Sequence, residues 1–219
     1  MSVLDPNAKE RCTEHSSIRN PIEWFQSLWQ EAKQLQDPNA PYCSLATVQD
    51  NKPSVRVLVL REVTDEGFLV FINDTSPKWQ HLVATGHYEL LIFWPSLMRQ
   101  VRVSGGWEVV AKQEMEQHWR RLPKASQLLA HYYDRTKHQS DPVASKEALE
   151  QGIRHVAAQF AEGGDMPYCD TARGVRFLPT QIEFWKNSPE DRLHERIMYS
   201  LQNDATGESA VWKSLVLVP

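Results

Sequence analysis

The residues of this chain with the most legible chemistry are cations set inside strand-like patterns. In Val55-Arg56-Val57-Leu58-Val59-Leu60-Arg61, a period of two places Arg56 on a face otherwise filled by Leu58 and Leu60. In Arg192-Leu193-His194-Glu195-Arg196, an extended backbone would put Arg192, His194 and Arg196 on one side and Leu193 and Glu195 on the other. Three donors on one face repel each other unless something anionic or rich in acceptors lies between them. Ser76-Pro77-Lys78 sets a hydroxyl and an ammonium at a predicted helix start, where free backbone N–H groups and the helix dipole favour phosphate. Gln100 and Arg102 share a strand face, and Trp185 closes the Glu183-Phe184-Trp185 run just before the Arg-rich segment. Donors, a flat aromatic and cations together point to a phosphorylated planar cofactor. On spacing alone, a charged outer face accounts for Arg192-x-His-x-Arg equally well.

Several other chemistries have no motif. Gly163-Gly164 lacks the spacing of a phosphate-binding loop or a dinucleotide fingerprint, and there is no Gly-x-Ser-x-Gly or His-Glu-x-x-His. The eight His are scattered and pair with no Cys at zinc spacing, so no metal site is expected. Cys12, Cys43 and Cys169 form an odd, widely spaced set that does not make a disulfide framework, which fits a reduced, cytoplasmic setting. A formal net charge of -4 excludes a globally basic nucleic-acid binder. A mean hydropathy of -0.51 argues against a membrane span, and the first residues carry no basic-then-apolar export signal.

The elements that must position these cations follow from periodicity. Residues 1–20 are polar and unperiodic and read as a flexible arm. Asn20-Pro21-Ile22-Glu23 starts a helix whose stripe is Ile22, Phe25, Leu28, Trp29 and Ala32. From Tyr42 the period changes to two, giving strands at Cys43 to Val48, Val55 to Leu60, Phe68 to Ile72, Tyr88 to Trp94 and Gln100 to Val110. A short helix at Lys78 to Ala84 is the one interruption. Helices are then expected at Gln113 to Leu122, Ser126 to Tyr133 and Ser145 to Ala161, with a loop at Asp134 to Pro142. Strands return at Gly174 to Leu178, Gln181 to Trp185, His194 to Leu201 and Ala210 to Leu217. The expected fold is α+β, mainly β: one antiparallel barrel domain over 21–219, with peripheral helices and a helical insertion at about 112–162.

In order along the chain, Arg56-Val57-Leu58-Val59-Leu60, Ser76-Pro77-Lys78, Arg99-Gln100-Val101-Arg102-Val103, Gln139-Ser140, Glu183-Phe184-Trp185 and Arg192-Leu193-His194-Glu195-Arg196 resemble the pyridoxamine 5′-phosphate oxidase family of FMN-binding split β-barrels. The likeness runs from about Pro21 to Pro219. It implies FMN as cofactor, with Arg56 and Lys78 on the phosphate and Ser76 close by. It also implies that Val57, Leu58, Val59, Leu60, Phe71 and Ile72 line the isoalloxazine and ribityl chain. Gln100, Gln139, Ser140, Trp185 and Arg196 would complete the FMN shell, and Arg192 and His194 would face the substrate as catalytic residues. The family binds its flavin at a two-fold interface, so a homodimer is implied. The implied reaction passes a hydride from an alcohol or amine carbon of pyridoxine or pyridoxamine 5′-phosphate to flavin N5, and O2 then reoxidises the flavin to give H2O2. The alternative is a flavin-binding protein without that turnover, serving as carrier, sensor or store.

The same comparison marks departures. A family Lys is Arg61 here, and the Tyr and Arg that clamp the substrate phosphate align with His118 and Leu122, with Ser126 retained. Replacing a guanidinium by an isobutyl group removes a charge and a bidentate fork. The expectation is therefore a kept flavin shell beside an altered substrate end made of Arg61, His118, Ser126, Arg192 and His194.

Overall fold

The change of period at Tyr42 corresponds to a hairpin. In the computed structural model, which describes residues 20–160, 164–203 and 210–219, β1 (Tyr42–Gln49) turns into β2 (Lys52–Thr64) through Asp50 and Asn51. Their φ angles of 50° and 59° lie in the left-handed region, which short polar side chains tolerate and which matches the twist of the flanking strands. β3 (Gly67–Asn73), β4 (Tyr88–Trp94), β5 (Arg99–Val109), β6 (Ala172–Lys186), β7 (Glu195–Asn203) and β8 (Ala210–Val216) complete the sheet. The order β3-β2-β1-β4-β5-β6 closes through β3–β6 pairing into a six-stranded antiparallel barrel, and β7 and β8 extend the sheet beyond β6. This is the split barrel expected from the sequence.

β6 is one strand where the sequence suggests two. Its register against β5 shifts between Ser104 and Gly105, beside Pro179 and Thr180. Gly105 is required there, because a Cβ would lie 2.2 Å from the Leu178 carbonyl oxygen. The irregularity lets β6 serve two partners: its first half pairs with β3 and its second with β7.

The helices pack around this barrel. α1 (Pro21–Gln34) begins where expected, with the Asn20 side chain accepting from the Ile22 N–H at 3.0 Å, a cap worth about 1 kcal/mol. Its predicted stripe is buried, and Phe25 meets Phe68 edge-on and Trp94 at a tilt, with centroids 4.8 and 5.3 Å away. α2 (Pro77–Thr85) links β3 to β4. α3 (Lys112–Arg120), α4 (Lys124–Arg135) and α5 (Lys146–Ala157) fall between β5 and β6. α4 runs two residues into the expected loop at Asp134. Residues 1–19 of the expected arm, Cys12 and the expected helix end at Ala161 lie outside the described residues. Cys43 and Cys169 are free and buried, and burial pushes the Cys43 thiol up to about 12, far from a nucleophile's range.

Candidate functional site

A cleft of about 150 Å³ opens between β2, β3, the start of α2, and α3 and α4. Leu58, Ile72, Asn73, Lys78 and Gln139 line one end, and Arg61, Phe71, Trp119, Leu122, Ser126 and Tyr133 line the other. Arg61 reaches the cleft because β2 carries a bulge: the register against β3 slips between Leu60 and Glu62, and Arg61 is the extra residue. Bulges re-aim side chains in this way beside functional sites. The Arg61 guanidinium lies 5.0 Å over the Phe71 ring, and the His118 ring meets the same Phe71 edge-on at 5.5 Å.

The end nearest α2 is cationic. Lys78 is 8% exposed, and its Nζ donates to Gln139 Oε1 at 2.7 Å. Burial first, and the nearby Arg56 charge second, push the Lys78 ammonium down to about 8. Burial also lowers Arg56, whose Nη1 donates to the Leu45 carbonyl at 3.0 Å and to Thr47 Oγ1 at 2.7 Å. Thr47 is in turn 3.0 Å from His81 Nδ1 on α2. Among the described residues neither Arg56 nor Lys78 pairs with a carboxylate. The buried Lys78, in the first turn of a nine-residue helix, and the half-buried Arg56 beside it on β2, neither with a counter-charge among the described residues, form a donor set that suits a phosphate dianion. Thr47 and His81 escaped notice in the sequence. The strand register carries the only signal for Thr47: Leu45 pairs with Arg56, which puts Thr47 two residues along on the same face.

Other expected site residues are placed differently. Ser76 is fully buried, and its hydroxyl turns inward to donate to the Asn73 carbonyl at 2.6 Å. Asn73 Oδ1 accepts from the Thr75 N–H at 3.0 Å, and Thr75 Oγ1 accepts from the Gln139 N–H at 3.3 Å, so this turn also fixes the Gln139 loop. Ser140 is exposed with φ 78°. Of the 57–60 run, Leu58 faces the cleft, Leu60 is core, Val59 is half-buried, and Val57 points to the opposite, outer face beside Tyr42, Leu91 and Phe93.

The Arg192-x-His-x-Arg segment needs correction. β7 begins only at Glu195, and Arg192 has φ 63° in an exposed loop, so the three donors do not share a strand face. The turn is built on Asp191, whose carboxylate accepts from Ser188 Oγ and the Leu193 N–H. His194 instead accepts the Ser188 N–H on Nδ1 at 3.1 Å and packs on Trp185 at 5.0 Å. Arg196 is held by the buried Glu183, with Nε and Nη2 at 3.0 and 2.9 Å from Oε1. Gln100, Trp185 and Arg196 are direct neighbours across β5, β6 and β7. This second group does not line the cleft.

The expected site is thus split into two sets on one chain. Between them lies an exposed apolar face with Val55, Val57, Leu91 and Phe93, and the C-terminal Leu215, Val216 and Val218 are also exposed.

The fold is shared with known proteins. Residues 28–160 match the family model described as pyridoxamine 5′-phosphate oxidase. Residues 173–219 match the one described as pyridoxine 5′-phosphate oxidase C-terminal dimerisation region. The chain is 35% identical over 191 residues to the pyridoxine/pyridoxamine 5′-phosphate oxidase of Trichormus variabilis, covering 86% of each chain. It is 36% identical to that of Janthinobacterium sp. over 208 residues, covering 93% of this chain and 95% of the other. Among solved structures, PhzG from Burkholderia lata 383, in complex with tetrahydrophenazine-1-carboxylic acid, superposes with a TM-score of 0.79 at 25% identity, over 100% and 99% of the two chains. A pyridoxamine 5′-phosphate oxidase-related, FMN binding protein from Nostoc punctiforme shares the fold, with a TM-score of 0.67 at 18% identity over 92% and 99%.

Proposed function

The chain belongs to the pyridoxamine 5′-phosphate oxidase family, and from that premise we propose that it is an FMN-dependent oxidoreductase acting on an alcohol or amine carbon of a small ring substrate. The observation that carries the reading is a pair of cations without a carboxylate partner among the described residues: Lys78, which lines the cleft, and Arg56 close beside it. They would hold the phosphate of FMN, with Gln139 turning its amide from Lys78 toward the same group.

Bound FMN supplies the two-electron chemistry and its reoxidation by O2. The chain supplies orientation and charge. Thr47 and the Leu45 carbonyl hold Arg56 in place, so little side-chain entropy remains to be lost on binding. Leu58 and Ile72 would pack along the ribityl chain, and the Phe71 face would border the ring system. Arg61 and Ser126, which line the cleft, would donate at the substrate end.

We assign the second group to the partner's flavin. In a two-fold dimer each copy's Gln100, Trp185 and Arg196 would meet the other's cleft. This accounts for the split of the site, for the exposed apolar face, and for the match of residues 173–219 to a dimerisation region. Arg192 and His194 would then approach the substrate from the partner's loop. Their role is to orient the ring and offset developing charge at the reacting carbon.

The test is direct. The purified protein should be yellow, and with pyridoxine or pyridoxamine, as the free compound or the 5′-phosphate, under air it should form peroxide and the corresponding pyridoxal. A colourless protein that takes up no FMN refutes the cofactor. A yellow protein that yields no peroxide leaves the second reading, a flavin carrier or store, which the apolar Leu122 at the substrate end favours.

A further inference from the structure

The two ends of the cleft differ in charge, and that difference speaks to what the far end accepts. At the α2 end, Arg56 and Lys78 are cations with no carboxylate partner among the described residues. Next to the far end, where His118 meets the Phe71 ring edge-on, carboxylates outnumber guanidiniums. Glu62, Glu114 and His118 bring their ligand atoms within 4.8 Å of one another, with His118 Nε2 3.8 Å from Glu114. Arg176, the neighbouring cation, is already shared among Glu66 at 2.9 Å, Glu108 at 3.4 Å and Glu114 at 2.7 Å. Its charge is already compensated by carboxylates, and it does not line the cleft.

That leaves Arg61, stacked on Phe71, as the one cation among the described residues that the chain itself brings to this end of the cleft. The rest of the lining is Met115, Trp119, Leu122 and Ala130, with the hydroxyls of Ser126 and Tyr133. Arg120 and Arg121 are exposed and do not line the cleft. A phosphate monoester placed here would lose hydration and gain one guanidinium from this chain, with the Glu114–His118 pair on the Phe71 ring adding negative charge nearby. Burying a dianion with so few compensating charges is unfavourable, whereas a flat apolar ring gains contact with Trp119, Leu122 and Met115.

We propose that the far end of the cleft selects a planar ring substrate carrying no phosphate ester and at most one negative charge, with Leu122 as the specificity-determining residue. The assignment rests on the flavin reading only for what is done to the substrate. Selection itself is a property of the pocket and can be measured without turnover.

The experiment compares pyridoxamine with pyridoxamine 5′-phosphate by calorimetry and by quenching of protein fluorescence, to which Trp119 contributes, in wild type, Leu122→Arg and Glu62→Gln. In wild type the phosphate should give less than about a tenfold gain in affinity. Leu122→Arg should raise the ratio of the two affinities by about tenfold or more. Glu62→Gln, at a half-buried position next to Arg61, should raise it several-fold. A wild-type preference above about tenfold for the phosphorylated compound overturns the proposal. So does an unchanged ratio in both variants, or a failure of both compounds to bind any of the three proteins. Loss of flavin from the purified protein would refute the oxidoreductase reading and leave this comparison standing.

Discussion

Replacing Lys78 by Met should make the flavin-free protein more stable and the flavin-bound protein weaker. Lys78 titrates near 8 in the folded chain against 10.5 for the free side chain, a gap that corresponds to about 3 kcal/mol. The folded state therefore disfavours the ammonium at neutral pH. Because the unfolded chain binds more protons between pH 8 and 10.5, stability of the flavin-free protein should rise across that window. Lys78→Met removes the buried charge but also the hydrogen bond to Gln139, worth about 1 kcal/mol. The net gain at pH 7 is about 1–2 kcal/mol, or about 2–8 °C in melting temperature for a chain of this size. FMN reverses the sign, since a dianionic phosphate re-stabilises the ammonium. Wild-type FMN affinity should then fall as pH rises above 8, by up to about tenfold per unit, while the variant's affinity is weaker and flat. Melting curves of stripped and loaded protein from pH 7 to 10, with flavin fluorescence titrations, read both effects. A Lys78→Met protein that melts lower than wild type when stripped, yet binds FMN equally well, refutes the reasoning.

Arg56→Ala should weaken FMN by about 1.5–3 kcal/mol, seen as a ten- to hundredfold rise in the dissociation constant from fluorescence titration; an unchanged constant removes Arg56 from the phosphate site. Arg192→Ala should keep a full complement of flavin and lose turnover, because Arg192 sits on an exposed loop outside the cleft; an emptied site would show that it holds the cofactor instead. Gly105→Ala should destabilise the fold by more than about 1 kcal/mol, since its Cβ would meet the Leu178 carbonyl at 2.2 Å; a thermal melt matching wild type would mean that β5 and β6 relax freely there.

The barrel was legible because its causes are local. Period-2 alternation placed β4 at Tyr88–Trp94 without error, and the Asn20-Pro21 start of α1 is a side-chain cap that the sequence spells out. The sequence suggests two strands where β6 is one, because Pro179 reads as a strand breaker. What keeps the strand continuous is a register shift opposite Gly105 on another strand, a non-local cause. Arg192 was misread for a similar reason: alternation of residue types implies a pleat, but the Asp191 turn bends the backbone first. At the site, Arg56 and Lys78 stood out as cations in apolar or helix-start patterns. The inward turn of Ser76, the support of Thr47 and His81, and the burial of Glu183 between Arg102 and Arg196 depend on which strands meet, and spacing along one strand does not encode that.

The central claim is that Lys78 at the start of α2 and Arg56 beside it on β2 exist to hold a phosphate. Titrating stripped protein with FMN and with riboflavin, which lacks only that group, tests it most directly. Two charge-assisted contacts predict that FMN binds tighter by about a hundredfold or more; equal affinities for the two flavins would contradict it.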